Sequence, residues 1–203
     1  MNKPNYDKRM QAQIADLPKG TPLLLHSCCA PCSTVCLERL HDFFSVCVFY
    51  YNPNIDNEAE YEKRKAEQIR LLEETGWGKI VDCDHDAEAF AEMAKGLENE
   101  PERGARCYRC YALRLEETAK KAKELGIEYF ATTLTLSPLK NVDWLNEIGE
   151  KLADRYGLKY LYSDFKKQGG YLRSIELSKE YGLYRQDFCG CSFSKKRKLD
   201  DTE

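Results

Sequence analysis

Seven of the ten cysteines fall in three short groups: Cys28, Cys29 and Cys32 in HSCCAPC, Cys107 and Cys110 in RCYRC, and Cys189 and Cys191 in FCGC. Thiolates are the ligands soft metals prefer. A C-x-x-C pair can chelate one metal or two corners of a cluster, and in C-G-C the glycine permits a backbone tight enough to do the same. Each group sits just past the end of an element. The first two open helices, whose free N–H groups and dipole are expected to lower thiol pKa values.

Three chemistries compete for these residues. A structural zinc would use four thiols and needs no open coordination position. Thioredoxin-like exchange suits Cys29-Ala30-Pro31-Cys32, which follows a strand and opens a helix. It leaves Cys28, Cys107, Cys110, Cys189 and Cys191 idle beside a dithiol that they would scramble. An iron–sulfur site with an additional metal or a free thiol employs the whole set, and it is the reading the residues favour.

The other cysteines read as inert. Cys47 lies mid-strand among aromatics and Cys36 one turn beyond Cys32, so both are expected to pack rather than ligate. Cys83, in Asp82-Cys83-Asp84-His85-Asp86, reads as part of a strand-to-helix loop with Asp84 or Asp86 as helix cap. His26 directly precedes the first group; it either donates to a sulfur or has a purely structural partner.

Two further loops carry polar chemistry. Thr132 to Asn141 holds hydroxyls and Lys140, which suit a phosphate or sugar, while Ser137 or Asn141 could equally cap the next helix with Pro138 in its first turn. Tyr162 to Ser174 holds Asp164, Lys166, Lys167, Gly169, Gly170, Tyr171 and Arg173. These suit a nucleotide whose base stacks and whose phosphate needs charge, the alternative being a flexible turn. Arg106, Arg109 and Arg114 surround the second cysteine pair, and Lys195 to Lys198 follow the third.

Positioning these groups requires a regular scaffold. Thr21–His26, Phe43–Tyr51, Lys79–Val81, Ile127–Ala131 and Lys159–Leu161 read as strands, the second apolar on both faces. Helical spacing covers Cys32–His41, Asn57–Thr75, Asp86–Lys95, Cys107–Leu125, Asn141–Tyr156 and Gly170–Tyr181, with Glu60 facing Arg64 and Gly76 ending the second helix. Gly96 to Arg106 reads as a polar loop. The alternation predicts a three-layer α/β domain with a five-stranded parallel sheet, whose ligands gather at the carboxyl ends of the strands. The cysteine groups are expected to converge there.

The chain has 203 residues, 42% of them hydrophobic and 32% charged, which fits one α/β domain over 1–203 with a polar lead-in at 1–20 and a basic then acidic tail at 192–203. With 31 Lys and Arg against 34 Asp and Glu the net charge is −3, which excludes gripping nucleic acid by bulk charge; any such contact is local. The lead-in has no apolar run of the secretory kind, and Phe43–Tyr51 falls short of the ~20 residues of a membrane helix. A cytoplasmic protein with no membrane partner is expected. Its reducing surroundings disfavour disulfides, which again points the clustered thiols toward metal.

At this point the chain resembles the epoxyqueuosine reductases of the QueH type. LHSCCAPC, YNPNI with EYEKR, RCYRCYALRL, TTLTLSPLKN and FKKQGGYLRSIELSKEYGLYRQDFCGC carry the resemblance, which runs from about Leu23 to Ser192. It implies a fold similar to the adenine-nucleotide α-hydrolase (HUP) domain, with His26 to Cys32 standing where that fold normally grips a pyrophosphate. It also implies the last step of queuosine synthesis: two-electron deoxygenation of the epoxide on the cyclopentyl ring of epoxyqueuosine in a tRNA anticodon, without cobalamin. Electrons would come from an unidentified donor.

By position, Cys28, Cys29, Cys107, Cys110, Cys189 and Cys191 match the cysteines that the family shares between a [4Fe-4S] cluster and an adjacent mononuclear metal, iron. The Cys32 position can be aspartate in the family, which suits a ligand to the second metal. Cys28 and Cys32 are therefore expected to be catalytic, with Tyr111 or Lys140 supplying the proton. Lys140, Lys166, Lys167, Tyr171 and Arg173 are expected to bind tRNA. The alternative is a tRNA sulfur-transfer or RNA-binding protein of HUP-like fold with a cysteine-ligated metal; sulfur transfer would need a Ser-Gly-Gly-type loop for ATP, where this chain has Ser27-Cys28-Cys29.

Overall fold

The computed structural model describes residues 4–194. The expectations for Lys195 to Lys198 and the rest of the tail lie outside them. Five strands, β1 (Thr21–His26), β2 (Phe44–Phe49), β3 (Lys79–Val81), β4 (Tyr129–Thr132) and β5 (Lys159–Tyr160), pair in the order β3-β2-β1-β4-β5, every pair parallel. Helices α1 (Tyr6–Ala15), α2 (Ala30–Leu40), α3 (Glu58–Thr75), α4 (Ala87–Ala94), α5 (Ala105–Glu124), α6 (Val142–Tyr156) and α7 (Gly170–Glu180) make the crossovers and flanks. This agrees with the layout the resemblance implies.

The period of two in the strands sorts the core into two layers. Leu23 and Leu25 of β1, Val46 and Val48 of β2, and Tyr129 and Ala131 of β4 face one layer, with Val35, Leu37 and Leu40 of α2, Leu71 and Leu72 of α3 and Leu177 of α7. Leu24, Phe49 and Phe130, from the alternate positions, face the other layer with Leu115 and Ala119 of α5 and Leu145, Ile148 and Leu152 of α6. Gly149 lets α6 approach β5: a Cβ there would lie 2.4 Å from the Tyr160 ring.

Several local expectations need correction. The polar lead-in contains α1, whose N-terminus is capped by the Asn5 side chain accepting from the Lys8 N–H and whose Met10 enters the first layer. β2 is not covered on both faces along its length, since Ser45 is exposed. The Thr132 to Asn141 loop begins with a 3-10 turn, Thr133–Leu136, and Pro138 stays outside α6 because Asn141 is the cap, accepting from the Asp143 and Trp144 N–H groups. Asp86 caps α4 by accepting from the Ala89 N–H. No helix is long and apolar enough to cross a membrane among the described residues.

Candidate metal centre

β1 ends at His26 in the middle of the sheet, and the chain crosses its carboxyl edge through Ser27, Cys28 and Cys29 before entering α2. The Ser27 N–H donates to the Phe49 carbonyl, extending the ladder by one bond, and Asn52 Nδ2 donates to the Ser27 carbonyl. Thr133, at the end of β4, accepts from the Cys28 N–H and lies 3.6 Å from its sulfur. Cys29 is the N-cap of α2 in extended backbone, and Pro31 stands in the first turn, where its missing N–H costs nothing. The Cys28 and Cys29 sulfurs are 3.7 Å apart, and those of Cys28, Cys29 and Cys32 all lie within 4.8 Å of one another.

Cys107 and Cys110 occupy one face at the start of α5, three residues apart. Arg103, in the left-handed region at φ 69°, directs its N–H at the Cys107 sulfur at 3.3 Å. The third group comes from the C-terminal segment, which is laced back onto the β2–α3 region. Arg70 donates to the Tyr181 and Gly182 carbonyls, and Glu67 accepts from the Tyr184 N–H. Asn54 Nδ2 donates to the Cys189 carbonyl, and Asp56 accepts from the Ser192 N–H. Gly190, at φ 113°, allows this turn, and a Cβ there would meet Ile55 at 2.8 Å.

All seven thiols line one cavity of about 820 Å³. Tyr111, Lys140 and Tyr171 line it too; Lys166, Lys167 and Arg173, expected beside them, do not. Lys166 pairs with Asp164 at 2.9 Å and donates to the Thr135 carbonyl, while Arg173 is engaged by Glu38 and Glu176. Lys167 is exposed away from the cavity wall. Of the arginines, Arg106 is consumed in tying the α4–α5 loop, donating to the Leu97, Glu98 and Glu100 carbonyls, and Arg109 is exposed.

The expectation of lowered thiol pKa values holds for Cys28, which its neighbours Cys29 and Cys32 hold well below the ordinary range by hydrogen bonding. Elsewhere it fails. Cys29, donating to Cys28 in a buried position, is pushed up to about 12, and Cys32 rises for the same reasons. Burial raises Cys110 to about 12 and raises Cys107 and Cys191 as well. Hydrogen bonding to Cys28 leads the rise at Cys29 and Cys32, and desolvation leads it at Cys107, Cys110 and Cys191.

His26 serves structure rather than sulfur: its Nδ1 is 2.9 Å from Thr132 Oγ1 and its Nε2 3.0 Å from the Tyr51 carbonyl. Burial lowers its pKa to about 3, so the ring is neutral. Cys36 is buried and its S–H donates to the Cys32 carbonyl; Cys83 lies between Tyr61 and the Tyr50 carbonyl.

A thiolate-bound metal group is anionic, and the surroundings suit it. Arg114 is 1% exposed and Lys140 half-buried, yet neither has a carboxylate partner among the described residues; what faces them is Cys110, Cys28 and Cys189 in one case and Cys189, Cys28, Tyr111 and Cys32 in the other. Burial opposes both charges, and the facing cysteines outweigh it, raising the pKa of each cation. Soft donors backed by unpaired cations fit iron or an iron–sulfur group. The hydroxyls of Ser27 and Ser33 are fully buried and bonded to each other and to Gln68, so they do not face the cavity.

Sequence reasoning overlooked Asn54, Arg64, Arg103 and Arg185, all of which line the cavity. Asn54 was visible in YNPNI, where asparagines flank a proline directly after a strand that ends at the ligand edge.

A family model described as Epoxyqueuosine reductase QueH matches residues 23–197. Among curated proteins, one named Epoxyqueuosine reductase QueH from Staphylococcus epidermidis is 42% identical over 202 residues, covering 95% of this chain and 85% of its own length. Its namesake from Streptococcus pyogenes serotype M1 is also 42% identical, covering 96% of this chain and 79% of its own. The Thermotoga maritima protein of that name is 36% identical over 178 residues, or 85% and 89% of the two chains.

Proposed function

From the premise that the chain belongs to the epoxyqueuosine reductase QueH family, we propose that it removes the epoxide oxygen of epoxyqueuosine in a tRNA anticodon. Two electrons and two protons enter, the two C–O bonds of the epoxide break, the ring carbons form a double bond, and the oxygen leaves as water. The observation that carries this reading is the convergence of seven thiols from three distant segments on one cavity at the carboxyl edge of the sheet.

A [4Fe-4S] cluster takes at most four protein ligands, so three thiols remain for an adjacent iron with an open position. Cys28, Cys29, Cys32, Cys107, Cys110, Cys189 and Cys191 would hold the two. When bound, these metals supply the electrons one at a time and a Lewis acid for the epoxide oxygen.

The chain's own residues do the rest. Tyr111, 4% exposed, keeps its proton because burial raises its pKa, and Lys140 keeps its proton because the cysteines it faces outweigh the cost of its burial. Both line the cavity, so the phenol Oη and the ammonium Nζ can each protonate the departing oxygen. Tyr171, 38% exposed at the cavity wall, offers a face on which an unpaired base can stack, and Leu139 beside the cavity is 55% exposed. Lys167 contributes charge to the phosphate backbone from outside the cavity, while Lys166 and Arg173 can do so only by leaving their acidic partners.

The test is direct. Anaerobically prepared protein should contain iron and acid-labile sulfide, and with dithionite as electron source it should convert epoxyqueuosine-containing tRNA to the queuosine form, read by mass spectrometry of the digested nucleosides. Stoichiometric zinc without iron or sulfide would overturn the redox reading and restore the structural one.

A further inference from the structure

Arg114 follows Cys110 by four residues on α5 and is among the largest fully buried side chains of the protein. Its Nε lies 3.3 Å from His26 Nε2, and its Nη2 donates to Asn52 Oδ1. Those partners are themselves fixed, His26 through its Nδ1 against Thr132 Oγ1 and Asn52 by donating to the Ser27 carbonyl. The guanidinium is therefore held rigidly at the cavity wall by neutral groups. It lines the same cavity as the thiols of all three groups, and Cys110, Cys28 and Cys189, one from each, are the cysteines that most favour its charge. Burying an arginine without a carboxylate is costly unless an anion stands opposite.

Lys140 repeats the arrangement from the β4–α6 loop, facing Cys189, Cys28 and Cys32. Arginine cannot lose its proton in a protein, so its charge is constant through the reaction. A constant positive charge in a dry site favours whichever state of its neighbour carries the extra electron.

We propose that Arg114, seconded by Lys140, sets the reduction potential of the thiolate-held iron–sulfur group, raising it by stabilising the one-electron-reduced state. The inference rests on the metal reading above. In each reduction one electron passes from an external one-electron donor to the cluster, the donor is oxidised, no bond breaks and no proton is bound by Arg114. It is a positioning role for charge: the guanidinium touches neither epoxide nor transferred oxygen.

The experiment is a dithionite titration with redox mediators, followed by electron paramagnetic resonance and visible absorption. It compares the wild-type protein, Arg114→Gln, Arg114→Lys and Lys140→Gln, each assayed first for iron, sulfide and circular dichroism. Arg114→Gln should load iron and sulfide and become at least tenfold harder to reduce, which is 59 mV for one electron. Arg114→Lys should restore most of the difference, and Lys140→Gln should move the potential in the same direction by less.

Loaded variants with unchanged potentials would overturn the proposal while leaving the metal reading intact. A wild-type protein without iron and sulfide would overturn the metal reading itself, and with it this one. Should Arg114→Gln fail to load or fold, Lys140→Gln decides: a fall in potential supports the charge-setting role, and no change overturns it.

Discussion

The Asn54 carboxamide donates to the Cys189 carbonyl at 3.2 Å, joining residues 135 positions apart. This bond and the glycine at 190 hold the third cysteine group at the cavity that the other two groups also line. Partners that orient metal ligands are commonly worth about 10–100-fold in metal affinity. Asn54→Ala is therefore expected to lower iron content and turnover at least tenfold with little change in Tm, and Gly190→Ala to do so with a lowered Tm because its Cβ would meet Ile55, as checked by iron analysis beside thermal denaturation.

Stripping the metals should leave the fold standing. The two apolar layers on either side of the sheet consist mainly of aliphatic and aromatic side chains, and at this chain length they bury enough surface without metal staples. Removal of iron with a chelator and mild oxidant is expected to abolish visible absorption and activity while the far-ultraviolet circular dichroism is retained. Collapse of the helical signal would mean that the metals are structural.

The thiol assignments separate in single variants. If three thiols hold a metal distinct from the cluster, Cys28→Ser and Cys32→Ser should each cripple turnover, with at least one of them keeping the cluster's absorption. Iron loss proportional to activity loss in all seven variants, or full activity in the Cys28 and Cys32 variants, would refute that division.

For tRNA binding, residues at the cavity and residues engaged elsewhere should behave differently. Tyr171→Ala is expected to weaken an anticodon stem-loop by about 1–3 kcal/mol, the worth of one stacked base. Lys167→Ala should reduce the salt dependence by about 0.7 of a counterion if it meets one phosphate of the unpaired loop. Arg173→Ala, whose guanidinium is occupied by Glu38, should change affinity less than either. Fluorescence anisotropy at several salt concentrations measures all three.

Acid should loosen the C-terminal segment. The Arg70 side chain, followed by the Tyr184 N–H, holds the Glu67 carboxyl below the usual carboxylate range. A depressed carboxyl stabilises the fold fully above its unfolded pKa, and that contribution is lost as pH falls through the lower folded value. Between about pH 5 and about pH 3 the Tm of the wild type should fall more steeply than that of Glu67→Gln.

The strand and helix order was legible because apolar period and caps are local: Asn57 and Gly76 bracket α3, and Leu23 to Leu25 could only be a buried strand. The seven cysteines were legible by their spacing, and the topology that unites them follows from the strand order. α1 was missed although Tyr6, Met10 and Ile14 recur every four residues after Asn5, because the surrounding charges dominate the eye. That Lys166 and Arg173 lie outside the cavity lining and are paired with acids was not legible. Asp164 and Glu176 lie close in sequence to the cations they engage, but Glu38, the acid nearest to the Arg173 guanidinium, lies 135 positions away on α2. Asn54 and Arg114 also make distant contacts, with Cys189, His26 and Asn52, and although YNPNI marks Asn54 as a residue of the ligand edge, no local pattern encodes its partner.

The spread of the thiols along the chain, at 28–32, 107–110 and 189–191, fixes an order of events during synthesis. Translation proceeds from the N-terminus, so β1 and α2 with their three thiols emerge first and the pair on α5 follows. Cys189 and Cys191 arrive last and must fold back onto Asn54 and Asp56 before the set is whole. Until then the emerging polypeptide offers an incomplete nest of thiols open to any passing zinc or copper ion. On the proposed reading, a metal site that uses all seven thiols is complete only after the final segment has docked.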